Sequence, residues 1–311
     1  MNILSFVTNE ESKFYEQQIE GLRTRGHTVD VVAVPGPRIT GGVDTGRRSK
    51  RVYVRHYLRS IAAARRSYDV VHANYGLTAP PAVAQPFHPV VLTLWGSDVM
   101  GEYGWLTKIC SRFADAVVVM SDEMGQRLDC DYQVIPHGID LELFQPVPKQ
   151  WARAHLGWDQ SVHQALFPYG PSRDVKDYPR AERIVEMARD QISGEIELQT
   201  VTGEPHGRMP IYMSAADCML LTSKREGLPN SVKEAMACDL PVVSVDVGAV
   251  STLLDADGHS TVGTDDEFLA DALAETLRAG ERSNGSDLIA DLSLERQLDR
   301  LESVYRSVTN P

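Results

Sequence analysis

The chain has 311 residues, enough for two domains of about 150 residues each, and its 42% hydrophobic content can fill their cores. Its 43 Asp and Glu against 31 Lys and Arg leave a net charge of −12, the reverse of a nucleic-acid-wrapping protein, so no nucleic-acid partner is expected. No run of about 18 apolar residues occurs, which excludes a membrane-spanning helix.

The chain begins a strand at Ile3 without a charged, apolar and then small-residue leader, so a cytoplasmic location is expected. The acidic surplus suits a saline cytoplasm or ordinary solubility. Cys110, Cys130, Cys218 and Cys238 are scattered, read as reduced thiols, and lack metal-site spacing. Residues 3–8 read as a strand and 13–25 as a helix that Gly26 ends in the left-handed region, followed by a strand over 29–34. Segment 36–45, rich in Gly and Pro, reads as a surface loop. Residues 69–73, 90–94 and 116–120 are continuous apolar runs, as strands of a parallel sheet covered on both faces require. Residues 134–140 end a strand in a turn, and 140–149, with two prolines and no period, read as a linker. A second series follows: strand 165–169, helix 178–190, strand 196–201 and helix 210–216. Residues 265–279 and 293–307 carry apolar residues at helical spacing.

The stretch after residue 217 is the most informative. Cys218 to Thr222 reads as a buried strand, 231–238 as a helix and 240–245 as the next strand, a βαβ unit. In such sheets ligands sit beyond the carboxyl ends of the strands, where Glu226 and Glu234 flank the turn. Gly227 permits close backbone approach, and the helix N-terminus offers free N–H groups to an anion. Two carboxylates beside an anion site suit a ligand with phosphates and many hydroxyls, such as a nucleotide-sugar.

The run Glu226, Gly227, Leu228, Pro229, Asn230, Ser231, Val232, Lys233, Glu234 resembles the glutamate–seven residues–glutamate motif of glycosyltransferase family 4. These are retaining enzymes of the GT-B fold: α/β, with two Rossmann-like parallel-sheet domains facing a central cleft. Weaker matches fall in order at Arg25 to Val29, Val70 to Ala73, Thr93 to Asp98, Val134 to Asp140 and Ala215 to Cys218. The resemblance implies an N-terminal acceptor-side domain over 1–145, a nucleotide-sugar-binding domain over 146–290, and a final helix in 291–311 that returns to the first domain. It implies that Glu226 contacts the donor sugar and Glu234 the ribose hydroxyls. The turn from Gly227 through Leu228, Pro229 and Asn230 to Ser231 would then meet sugar and phosphates. Arg173 and Lys176 would hold the diphosphate as it gains charge. No metal or other cofactor is expected; the nucleotide-sugar is a substrate.

The chain departs from the family's pattern in three places. Trp95 stands where a histidine often precedes the Gly-Ser-Asp turn, and it can stack on a sugar instead. The loop Thr8 to Ser12 has no glycine, and Asp239 replaces a usual glycine, at a cost of roughly 1 kcal/mol. His137 either shapes the hinge turn or touches the donor; Asp98 either caps a helix or touches a sugar hydroxyl. His72 reads as a packed histidine, and Lys224 and Arg225 as solvated charges.

One segment opposes the acidic background. Arginines and a lysine crowd residues 47–66, where Val54, Tyr57, Leu58 and Ile61 form a stripe. The segment either packs that stripe on the sheet or lays it on an anionic membrane surface. The expected function is transfer of a hexose from a nucleotide-sugar to a glycan or lipid-linked acceptor in cell-surface polysaccharide, glycolipid or glycoprotein assembly. The alternatives are a nucleotide-sugar epimerase or hydrolase of the same fold, and a non-catalytic sugar-nucleotide-binding subunit.

Overall fold

Buried apolar runs become parallel strands because only helices above and below can cover both their faces. The computed structural model describes residues 1–36 and 48–309. It divides into two units, Met1–Gly138 with Leu294–Pro311, and Ile139–Ser293.

The first unit is built on strands β1 (Asn2–Val7), β2 (Thr28–Ala33), β3 (Val70–Asn74), β4 (Val90–Leu94), β5 (Ala116–Val119) and β6 (Gln133–Val134). They lie in the order β2-β1-β3-β4-β5-β6, all parallel. β3 and β4 are buried along their whole length. The helix Lys13–Thr24 ends before Gly26, whose φ of +86° supplies the left-handed turn. The last helix, Leu294–Thr309, belongs to this unit. Leu298 packs where a Cβ on Gly21 would stand, and Arg25 pairs with Asp299 at 2.7 Å. Its Tyr305 hydroxyl meets His72 Nδ1 at 2.6 Å, and His72 Nε2 meets Thr93 Oγ1 at 2.7 Å. His72 is thus a packed histidine, and burial drives its pKa down to about 3. The glycine-free loop after β1 is held by Arg48, which donates to the carbonyls of Thr8 and Gly36.

The second unit carries β7 (His163–Phe167), β8 (Ile196–Thr200), β9 (Cys218–Leu221), β10 (Val242–Val245) and β11 (Thr261–Gly263), in the parallel order β11-β10-β9-β7-β8. The chain runs outward from β7 to β8, then returns to the other side of β7 as β9. The strand order therefore reverses between β7 and β9, the place where open α/β sheets form a ligand crevice. Two further findings correct the sequence reading. A helix, Lys149–Leu156, begins inside the expected linker; its Arg153 is buried and pairs with Asp217 at 2.6 Å. The basic segment forms the helix Lys50–Ala63, but its buried residues are His56 and Ser60, while Val54 and Leu58 are exposed. Packing of Val54 and Leu58 on the sheet is overturned, since His56 and Ser60 face inward in their place, while Ile61 is half-buried. The loop expected over 36–45 falls almost entirely outside the described residues, as does Arg47.

Removing the Tyr305 hydroxyl leaves a buried ring nitrogen of His72 without that partner. Tyr305→Phe is expected to cost about 1–3 kcal/mol in urea unfolding, whereas Tyr57→Phe, at the surface, leaves the midpoint unchanged.

Candidate functional site

The reversal of strand order brings the loop after β7 beside the loop after β9. Register pairs Ala165 with Cys218 and Leu166 with Met219, so the two strands end side by side. Beyond β7 the chain forms a 3-10 turn, Asp174–Lys176. Thr222 Oγ1, just past β9, donates to the carbonyls of Lys176 and Asp177, both at 3.0 Å, and Lys224 N donates to the Val175 carbonyl at 2.9 Å. These bonds tie the loops into one rim.

On that rim Lys176 Nζ lies 2.5 Å from Glu226 Oε1, with both side chains largely covered. The Lys176 ammonium also sits 3.9 Å above the Tyr169 ring, whose π face favours a cation. Burial lowers the pKa of Lys176, and Glu226 partly opposes that shift. The Tyr169 hydroxyl bonds to Ser231 Oγ at 2.5 Å; burial, with Glu226 nearby, holds its pKa well above the usual tyrosine range. Arg173 is exposed, 5.4 Å from the same ring. One cation is therefore buried in an ion pair and the other stands exposed.

The helix Asn230–Ala237 follows Pro229, whose ring cannot donate and so marks the helix start. Ser231 to Ala237 are all buried, so the helix is wedged in the unit with its N-terminus beside the rim. Two polar atoms here, Asn230 Oδ1 and Ser223 Oγ, are buried with no hydrogen-bond partner among the described residues. Leu228 is half-buried and Gly227 exposed. Gly248, at φ +58°, lies where a Cβ would come 2.3 Å from the Gly227 carbonyl oxygen, and Ala249 N donates to that oxygen at 2.9 Å. Glu234 points to His206, with Nε2 to Oε1 at 2.9 Å, and the His206 ring packs on Phe144 at 5.2 Å. Asp239 adopts φ +53°, the strain offset by its carboxylate accepting from Ser286 N at 2.9 Å.

The structure thus gathers Arg173, Lys176, Glu226, Gly227, Leu228, Pro229, Asn230, Ser231 and Glu234 in the second unit. Trp95, Asp98 and His137 form a separate group in the first. Trp95, half-buried after β4, packs its ring 5.6 Å from His137. His137 is buried and also meets the Phe14 ring edge-on at 4.5 Å. Asp98 is buried and accepts from the backbone N–H groups of Gly76, Trp95 and Gly96 at 2.8–3.1 Å. Its carboxylate closes the turn that precedes the short helix Ser97–Met100, whose N-cap is Gly96. Sequence reasoning missed His206 and Tyr169. His206 sits in a Gly-Glu-Pro-His stretch with no periodicity to mark it. Tyr169 ends an apolar run and looks like one more core aromatic.

Comparison with known proteins follows this geometry. Residues 13–143 match the family described as Glycosyltransferase Family 4, and residues 174–279 match that described as Glycosyl transferases group 1. The chain is similar to TuaC of Bacillus subtilis, a glycosyltransferase named for teichuronic acid biosynthesis, at 29% identity over 239 residues, covering 67% of this chain and 60% of TuaC. It therefore spans less than two thirds of that relative. It is also similar to the lipopolysaccharide core biosynthesis mannosyltransferase LpsB of Rhizobium meliloti, at 28% identity over 246 residues, covering 66% of this chain and 69% of LpsB. Among solved structures, Anabaena Alr3699/HepE in complex with UDP-glucose superposes with TM-score 0.69 at 15% identity, over 99% of this chain and 100% of that one. Sucrose-phosphate synthase from Thermosynechococcus elongatus gives 0.70 at 19% identity, over 99% of both chains. Both share the two-Rossmann-domain fold.

Lys233, beside Glu234, is fully buried, and burial lowers its pKa to about 7, against the attraction of Glu234. Between about pH 7 and about 10.4 the unfolded chain holds the extra proton, so the fold gains stability as pH rises through that window. The stability difference between Lys233→Met and the wild type is expected to shrink steadily over that window. Urea midpoints measured at several pH values check the slope, and parallel pH profiles for the two proteins would refute it.

Proposed function

Because this chain belongs to the group 1, family 4 glycosyltransferases, we propose that it transfers a hexose from a nucleotide-sugar to a glycan or lipid-linked acceptor, with retention at the anomeric carbon. The observation that carries this reading is the Lys176–Glu226 pair, set at the strand-order reversal beside the N-terminus of helix Asn230–Ala237. Lys176 and the helix N–H groups meet the diphosphate, and the exposed Arg173 adds a second cation to it. Glu226 accepts from hydroxyls of the donor sugar, and Glu234, braced by His206, accepts from the ribose. The buried unpartnered atoms of Asn230 and Ser223 suit a ligand that supplies their hydrogen bonds.

In the reaction the acceptor oxygen bonds to the anomeric carbon on the face from which the diphosphate departs. The carbon–oxygen bond to the diphosphate breaks, and a departing phosphate oxygen takes the acceptor's proton. Fixed cations and helix N–H groups meet the charge that develops, so this route requires no metal and no further cofactor. TuaC and LpsB are named for cell-surface polymers, which supports an acceptor of that class. HepE, of the same fold, binds UDP-glucose, which supports a nucleotide-sugar donor. Trp95, half-buried after β4, offers a stacking face to a sugar. A lipid-linked acceptor suits a cytoplasmic enzyme that works against an anionic membrane surface, and the basic helix Lys50–Ala63 is the element for that contact. Among the described residues, no helix is long and apolar enough to cross a membrane.

Thermal shift against a panel of nucleotide-sugars identifies the donor, and NMR of the product is expected to show the donor's anomeric configuration. Glu226→Gln is expected to lower the transfer rate about 100-fold or more while the nucleoside diphosphate still binds. Transfer at near wild-type rate in that variant, or release of free sugar without an acceptor requirement, would overturn the proposal.

A further inference from the structure

Two helices of the first unit carry large apolar side chains on their outer faces. In helix Lys50–Ala63, His56 and Ser60 face the core, while Val54 is 61% and Leu58 63% exposed. In helix Gly104–Ser111, Thr107, Cys110 and Ser111 are buried, while Trp105 is 62%, Ile109 50% and, two residues past the helix end, Phe113 68% exposed. Trp105, Ile109 and Phe113 recur every four residues and so form one stripe. A soluble helix that meets only water places its apolar face inward. Here Leu106 and Cys110 stay on the core and Ile61 is half-buried, yet Val54, Leu58, Trp105 and Ile109 are left outside.

The two stripes belong to one layer. Helix Lys50–Ala63 connects β2 to β3, Ala79–Ala84 connects β3 to β4, and Gly104–Ser111 lies between β4 and β5. Through these connections the strand order advances in one direction, so right-handed crossovers put all three helices on the same face of the sheet. The middle helix packs against each of the outer two. Charge marks the same layer. Residues 48–66 hold seven Lys and Arg and no Asp or Glu, and residues 103–113 hold Lys108 and Arg112 and no acid, in a chain of net charge −12. Arg51, Arg55, Arg59 and Arg112 are exposed, and none of them forms an ion pair among the described residues.

We propose that this helix layer is a membrane-docking face in which Trp105, Ile109 and Phe113 enter the interface of an anionic bilayer while Arg51, Arg55, Arg59 and Arg112 meet the lipid phosphates. It deepens the membrane contact proposed above by adding a second, inserting element. Aromatic and branched apolar side chains ringed by arginines match a surface that is anionic outside and apolar within. A second copy of the chain would set the arginines of one copy against those of the other, which disfavours a symmetric dimer on this face.

The test floats the full chain with vesicles of phosphatidylcholine alone or mixed with phosphatidylglycerol. The wild type is expected to float only with the anionic vesicles and to release in high salt. Brominated acyl chains are expected to quench its tryptophan fluorescence, and Trp105→Phe removes most of that quenching. Replacing Trp105, Ile109 and Phe113 together by Ser is expected to weaken partitioning about tenfold or more, with an unchanged urea midpoint because all three are exposed. Flotation lost on reversing Arg51, Arg55 and Arg59 to Glu but kept by the triple Ser variant, with Trp105 of the wild type not quenched, overturns the insertion and leaves the basic-helix contact standing. No flotation by the wild type overturns both. A dimer that the triple Ser variant turns into a monomer assigns the face to a second copy and overturns the proposal as well.

Discussion

Lys176 and Glu226 stand fifty residues apart in the chain and meet at 2.5 Å. The rest of the site depends on that contact. It exists because the chain reverses strand order between β7 and β9, so their outgoing loops leave the sheet side by side. A largely covered ammonium is costly unless a counter-charge meets it. Glu226 supplies that counter-charge, and the Tyr169 ring supports the ammonium from below. The pair fixes the two loops at one separation, and Thr222 secures them through two backbone carbonyls. The proposed donor, with a diphosphate and a sugar, would find a cation and a carboxylate already in place, without the ordering cost of free side chains.

The site trades stability for that arrangement. Lys233 is buried in the helix that carries the motif, and its lowered pKa reports a desolvated amine. Asn230 Oδ1 and Ser223 Oγ are buried with no hydrogen-bond partner among the described residues. Asp177 and Asp239 both occupy the left-handed region without being glycine. Such features cluster where a fold is built around a ligand rather than for its own stability. The hydrophobic cores beneath absorb the cost, with β9 and β10 buried along their whole length.

The parts of the fold legible in the sequence are those where one physical signal acts alone. Short apolar runs such as 90–94, bounded by turn residues, read as two-sided strands, and Gly26 after a helical run reads as its end. The motif from Glu226 to Glu234 is legible because it joins a turn glycine, a proline at a helix start and two acids in one short span. Where two signals compete, sequence alone misleads. Helix Lys149–Leu156 hides behind prolines, and its buried face is marked by Arg153, a charged residue that the sequence gives no reason to bury. Val54, Leu58, Trp105 and Ile109 have the spacing of a core stripe, and periodicity cannot say whether such a stripe faces the sheet or a lipid surface. His206 joins the site only because the sheet folds its loop toward Glu234. Asp98 carries the residue type of a sugar ligand, yet three backbone N–H groups claim its oxygens.

Calorimetric titration of the donor's nucleoside diphosphate into the wild type and Lys176→Met tests the account most directly. The variant loses the cation proposed to hold the diphosphate, so its affinity is predicted to fall about tenfold or more, near 1.4 kcal/mol or above. Equal affinity in the two proteins, with the variant folded, would contradict the assignment of this rim as the diphosphate site.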